Sequence, residues 1–327
     1  MMSKIKFEYL DIPIIRSCNL ACAGCLTFSD SQKIKGLVRL ENSLEWLNFW
    51  ANKLDPENIH VFGGEPLLHP QFIDWCITIK KLWPNTNLKV YTNGYYLHQY
   101  IDDETLTKLF ITNNTMLNIV LTVQNGKEPY YSLVMNNIEK FKTSMIMLAN
   151  KHSLRKRFNA QWNKSIDRDN TSSISINGND VSIDIYHQFK MHWQSHYSGF
   201  EETLKPNYNY NDTLYVGNHS SCRAKDYINL YKGRLYKCPV FAVVEHTLDT
   251  FGLKTDSDWE PYLENYKFID TNSNDVEILE WFDMQKAPEK ICNMCAFSGP
   301  KNPYALGSTT GHLNDHLPKK NWIIPIS

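Results

Sequence analysis

The chain has 327 residues, 42% hydrophobic and 21% charged, with a formal net charge of −1; this is the composition of a globular enzyme, at a length that fits one large domain plus an appendage. A balanced charge excludes the basic field on which nucleic-acid or anionic-membrane binding relies, and no apolar run approaches the ~20 residues that span a bilayer. The N-terminal Met1–Glu8 stretch lacks the apolar core of a signal peptide, so a cytoplasmic protein with no membrane or nucleic-acid partner is expected.

Residues 9–16 are apolar and β-branched and read as a buried strand. The strand runs into Cys18-Asn-Leu-Ala-Cys22-Ala-Gly-Cys25, which offers three thiolates in one short loop. Parallel α/β sheets place their chemistry at such strand ends. Soft thiolates select iron–sulfur clusters, zinc or Cu(I); a closed structural site wants four ligands, and the next cysteine along the chain is Cys76. Residues 43–53 predict a helix, and residues 59–62 a second strand that runs into Gly63-Gly64-Glu65-Pro66. Two glycines there permit positive φ or close approach of the backbone to a ligand. Residues 72–82 predict a helix with Phe72, Trp75, Cys76, Ile79 and Leu82 on one face, which makes Cys76 a core residue. Residues 88–91 form a third strand leading to Thr92-Asn93-Gly94, and residues 117–123 a fourth. A helix over about 130–142 and a fifth strand over 145–148 follow.

Beyond residue 159 the alternation loosens. Residues 173–186 alternate on both sides of Asn177-Gly178, a strong hairpin signal. His187, His192, Trp193, His196 and Tyr197 then crowd one segment. His192 and His196 stand one helical turn apart, but no carboxylate or cysteine lies beside them; a polar, aromatic substrate-facing loop or a plain surface loop is expected rather than a metal site. The basic run over residues 151–157 reads as a solvated helix face. Cys222 and Cys238 flank residues 227–236, two short strands around Lys232-Gly233, and Cys292-Asn-Met-Cys295 supplies two more thiols. A hairpin brings its flanking cysteines together, and the four suit zinc or a cluster. Four disulfides are excluded by the expected reducing compartment and the ligand-like spacing. The class is α/β; periodicity alone does not separate a barrel from an open doubly wound sheet.

The C-x3-C-x2-C loop followed by Gly63-Gly64-Glu65-Pro66 resembles the signature of the radical S-adenosylmethionine (SAM) superfamily. The resemblance implies a partial (β/α)6 TIM-like barrel over residues 1–215. It implies a [4Fe-4S] cluster on Cys18, Cys22 and Cys25 whose open iron chelates SAM, with Gly63, Gly64, Glu65, Pro66, Asn93 and Thr122 contacting SAM. Cys222, Gly233 and Cys238, with the later Cys292 and Cys295, are similar to the auxiliary-cluster extension called SPASM when it holds two clusters and twitch when it holds one. No cysteine follows Cys295, so the expectation is a small twitch-type domain over 216–300 with a second [4Fe-4S] cluster on Cys222, Cys238, Cys292 and Cys295. Residues 301–327 form a tail without a motif. Two departures stand out: Gly24 replaces the usual aromatic, leaving Phe28 to pack the adenine, and Thr122 stands where a serine is common. The implied activity is reductive SAM cleavage and hydrogen abstraction. The expected net outcome is a two-electron oxidation of a sugar, cyclitol or nucleotide-type small molecule, with the auxiliary cluster as electron acceptor and a flavodoxin or ferredoxin as electron donor. A peptide-modifying maturase is the alternative within the family, and a zinc-stabilised binding protein without catalysis the alternative outside it. No catalytic acid or base is legible.

Overall fold

A computed structural model describes residues 3–22, 25–123, 128–152, 158–161, 170–176, 179–187, 196–222 and 225–295, with the strands between 158 and 187 as backbone. Gly24, Gln124-Asn125-Gly126, most of the basic run, His192, Trp193 and the tail over 301–327 lie outside the described residues.

The strands are β1 (Ile5–Ile15), β2 (Leu54–Gly63), β3 (Asn87–Thr92), β4 (Leu117–Val123), β5 (Phe158–Gln161), β6 (Asn170–Ile176), β7 (Asn179–His187), β8 (Tyr227–Tyr231) and β9 (Arg234–Tyr236). They form one sheet in the order β5-β6-β7-β4-β3-β2-β1-β8-β9. The six strands from β7 through β8 are joined by parallel pairings throughout, the sheet of a partial (β/α)6 barrel. The outer strands β5, β6 and β9 add antiparallel. The second half of β1 is buried continuously, with Leu10, Ile12, Ile14 and Ile15 in the core; an apolar run without alternation is what a strand covered on both faces requires.

Helices α1 (Leu44–Lys53) and α2 (Phe72–Leu82) make the first crossovers. α1 buries Leu47, Trp50 and Ala51, and the Trp50 indole N–H donates to the Gly233 carbonyl at 2.9 Å, so this buried nitrogen keeps a partner. Cys76 is fully buried on the expected face of α2. A short helix α3 (Asp103–Leu106) precedes β4, and α4 (Tyr130–Lys151) follows it.

The fifth strand expected at residues 145–148 is not there. Those residues continue α4, whose buried Val134, Ile138, Phe141, Met145 and Leu148 recur at helical spacing. A four-residue apolar run carries no strand signature of its own, and here it completes the helix's stripe. The fifth parallel strand is β7 instead, the second arm of the hairpin around residues 177–178. The hairpin of residues 227–236 forms as expected, with φ of 49° at Lys232 and 81° at Gly233, the pair of positive values a type I′ turn needs. It does not stand apart from the barrel sheet: β8 runs parallel to β1, with Tyr227 opposite Tyr9 and Asn229 opposite Asp11. Helices α5 (Tyr215–Ser220), α6 (Pro239–Thr250), α7 (Glu260–Asn265) and α8 (Asp275–Met284) complete the α-helices among the described residues. No helix among the described residues is long and apolar enough to cross a membrane.

Candidate active site

Because the barrel strands are parallel, their C-terminal ends share one rim. β1 ends at Ile15 just before Cys18, β2 ends at Gly63, and β3 ends at Thr92 just before Asn93. Burial pushes the Cys18, Cys22 and Cys25 thiols above their ordinary range, and Cys22 is pushed further by the charges Cys18 and Cys25 would carry. Three thiols that resist ionisation side by side form a site that a cationic centre stabilises, releasing their protons as it binds. Cys18 Sγ accepts the Leu20 N–H at 3.4 Å. Cys25 Sγ lies 3.3 Å from Thr27 Oγ1, which donates to the Gly63 carbonyl at 3.1 Å.

The glycines have a structural reason that spacing did not reveal. A Cβ on Gly64 would lie 2.1 Å from the Ser17 carbonyl oxygen, and one on Gly63, at φ 140°, 2.0 Å from that of Ile15. The Gly64 N–H donates to the Ile15 carbonyl at 2.8 Å and the Glu65 N–H to the Ser17 carbonyl at 3.0 Å. The two glycines thus let the end of β2 clasp the root of the cysteine loop. Glu65 is fully buried and caps the one-turn helix Pro66–Leu68. Its Oε1 accepts from Leu67 N–H at 3.0 Å and Thr92 Oγ1 at 2.7 Å, and its Oε2 from Asn93 N–H at 2.8 Å. Burial nevertheless raises its carboxyl to about 7, the three hydrogen bonds only partly offsetting the lost hydration. Asn93 in turn donates from Nδ2 to Asn19 Oδ1 at 2.9 Å, inside the cysteine loop. Glu65, Asn93 and the loop are therefore one connected network. Thr122 is buried at the end of β4, and the pairing of Thr92 with Leu121 sets it level with Asn93. Phe28 does not offer a free face to an adenine: it is buried and stacked on Tyr197, with centroids 4.4 Å apart.

The second cysteine set also converges. Cys222, Cys238, Cys292 and Cys295 line one cavity, together with His196, His219, Lys225 and Lys237. Among the described residues, in either cysteine set, no three His, Cys, Asp or Glu side chains close tightly enough to hold a single ion; the four cysteines of the second set line the same open cavity. Cys238 is the N-cap of α6 with Pro239 at its first position. Backbone donors at Val240 and Phe241 favour its thiolate, yet burial holds it at about 12; Cys292 and Cys295 are raised by burial too. Asparagines that the sequence did not mark hold the Cys292–Cys295 turn: Asn218 Nδ2 donates to the Cys292 carbonyl at 3.1 Å, Asn207 Nδ2 to that of Met294 at 3.0 Å, and Asn293 Nδ2 to that of Asp212 at 2.7 Å. Lys237, buried beside Cys238, pairs with Glu289 at 2.7 Å and so draws in the strand of chain ahead of that turn.

The two regions are in contact. Arg16, fully buried just before Cys18, donates to the Thr27 carbonyl at 3.1 Å on one side and to Thr247 Oγ1 of α6 at 2.7 Å on the other. Arg16 carried no sequence signal of its own, and His196, noted in the sequence only as part of an aromatic and histidine-rich loop, was not expected beside the second cysteine set.

Residues 12–147 match the family model described as the Radical SAM superfamily. This part of the chain is a radical SAM domain. Such a domain binds a [4Fe-4S] cluster and SAM, and the rim fits them: it brings three soft thiols within electrostatic reach of one another and holds a buried carboxyl with no cation partner among the described residues. Two curated relatives bear the name GTP 3′,8-cyclase. The protein from Nautilia profundicola is 28% identical over 97 residues, 29% of this chain and 30% of that one. The protein from Microcystis aeruginosa is 35% identical over 98 residues, 28% of this chain and 29% of that one. The chain thus spans less than a third of the length of these relatives. A solved structure of BtrN in complex with AdoMet and 2-DOIA aligns with 92% of this chain and 96% of its own, at 13% identity and a TM-score of 0.47, a likeness too loose to carry an argument.

Proposed function

We propose that this radical SAM protein oxidises a small polar substrate, of sugar, cyclitol or nucleotide type, by two electrons. In this reading Cys18, Cys22 and Cys25 hold the SAM-binding [4Fe-4S] cluster, and Cys222, Cys238, Cys292 and Cys295, in a module over 216–300, hold a second one that is fully ligated. When bound, the first cluster would supply the electron for reductive cleavage of SAM and hydrogen abstraction from the substrate. The chain's own residues orient and enclose. Gly63 and Gly64 lock the loop root against β1, and the Glu65 carboxyl, buried and held near 7, gains from an ammonium group such as that of SAM's methionine end. Asn93 and Thr122 lie level on the same rim, where they would contact SAM when it is bound. The observation that carries the oxidative reading is the cavity with four sulfurs on its wall, tied to the first loop through Arg16. A fully ligated cluster has no open iron for substrate, so it serves to move electrons. The name that the two relatives share, GTP 3′,8-cyclase, supports including a nucleotide in the proposed substrate class. A flavodoxin or ferredoxin would supply the reducing electron, and a peptide substrate is the alternative.

The test is iron and sulfide analysis of anaerobically purified protein, with 5′-deoxyadenosine release under dithionite. About eight irons per chain with matching sulfide fits two cubanes. Zinc without sulfide overturns the radical reading in favour of a zinc-stabilised binding protein, and about four irons with zinc overturns the electron-acceptor role alone.

A further inference from the structure

His196 and Tyr197 belong to neither cysteine set, and the sequence placed them in a substrate-facing or plain surface loop. Both are buried, at 8% and 4% exposure. His196 Nδ1 lies 3.4 Å from Cys295 Sγ and the ring lines the four-cysteine cavity. The Tyr197 hydroxyl donates to the Cys25 carbonyl at 3.1 Å, while its ring stacks on Phe28 at an interplanar angle of 21°. Two consecutive residues therefore touch the two cysteine centres, one each.

We infer that His196-Tyr197 is a two-residue bridge between the centres, in which His196 donates its Nδ1–H to the Cys295 sulfur and sets the redox poise of the group held there, while Tyr197 fixes the Cys25 end of the N-terminal loop. The inference rests on the proposed second cluster. A ligating thiolate only accepts hydrogen bonds, so the Nδ1 position carries the proton. An N–H aimed at a cluster sulfur stabilises the more negative, reduced state and raises the reduction potential. His196 is a positioning and tuning residue, because it acts on the group through Cys295. Tyr197 acts through packing: its ring takes the face of Phe28 and its hydroxyl satisfies a loop carbonyl, so the loop end has one seat.

The test is a redox titration of the iron-loaded, full-length enzyme followed by electron paramagnetic resonance. His196→Leu should lower the midpoint of the C-terminal cluster with iron content unchanged, and His196→Asn, which restores a donor, should recover part of the shift. Tyr197→Phe keeps the stack on Phe28 and should alter the signal of the N-terminal cluster. Pulsed resonance on wild-type enzyme labelled with 15N-histidine gives a second reading independent of folding: a histidine nitrogen coupled to the reduced C-terminal cluster is expected. An intact second cluster with an unmoved midpoint in His196→Leu, or with no histidine coupling in the wild type, overturns the bridge and leaves the proposed function standing. An unchanged N-terminal signal in Tyr197→Phe overturns the Tyr197 half. Zinc without sulfide at the C-terminal site overturns the second cluster, and the bridge with it.

Discussion

The two cysteine centres are built in opposite ways. The N-terminal set occupies eight consecutive residues, 18–25, so its thiols are neighbours whatever the rest of the chain does. The C-terminal set is spread from Cys222 to Cys295 and meets only because Cys238 caps the start of α6, the Lys237–Glu289 pair draws the next segment in, and asparagines hold the last turn. A contiguous loop needs its surroundings for shape; a dispersed set needs them to exist at all. The difference predicts separate consequences for damage at each.

The largest effect is expected at the first centre. Cys18→Ala, Cys22→Ala or Cys25→Ala should abolish reductive SAM cleavage, because a cluster held by two thiolates does not assemble. Any one of these variants releasing 5′-deoxyadenosine at the wild-type rate would show that the loop is not the SAM centre.

Cys292→Ala should uncouple the two halves of the reaction. Iron should fall from about eight to about four per chain, 5′-deoxyadenosine should still form, and oxidised product should not. Arg16 and Tyr197 tie the regions together, so a melt recorded on the same sample separates lost chemistry from lost folding. Full product formation by a folded variant with one cluster breaks the comparison.

Gly64→Val should act on the loop rather than on SAM directly. A Cβ 2.1 Å from the Ser17 carbonyl must push the loop root away, an overpacking cost of about 1–3 kcal/mol, with reduced iron in the first cluster and an untouched second one. Weakened SAM affinity with both clusters intact would show instead that the glycines serve the ligand.

The smallest effect concerns Glu65, and it depends on pH. Its carboxyl is held at about 7 in the folded chain against an ordinary 4.5. Between those values the unfolded chain has released a proton that the folded chain keeps, so Glu65 lowers stability as pH rises through that window. Glu65→Gln should flatten this part of the profile, while costing about 1–3 kcal/mol by leaving the Asn93 N–H without its acceptor. Thermal melts between pH 5 and 7 without SAM check it; an unchanged slope would mean that Glu65 is not the group responsible.

By itself the sequence determined the parts whose causes are local. The β-branched run of β1, the loop spacing, the helix face carrying Cys76 and the Lys232-Gly233 turn were all readable, because each follows from short-range periodicity or from one residue's backbone freedom. Only the tertiary structure decided that residues 145–148 extend α4 and that the hairpin's second arm β7 is the fifth parallel strand. A four-residue apolar run has no preference strong enough to resist its neighbours. The same holds for the site. The cysteines and glycines were legible as motifs, but the reason for the glycines is a pair of carbonyls far earlier in the chain, that of Ile15 at the end of β1 for Gly63 and that of Ser17, 47 residues earlier, for Gly64. The burial of Arg16, and of His196 and Tyr197 between the two centres, follows from long-range packing that leaves no periodic trace in the residues themselves.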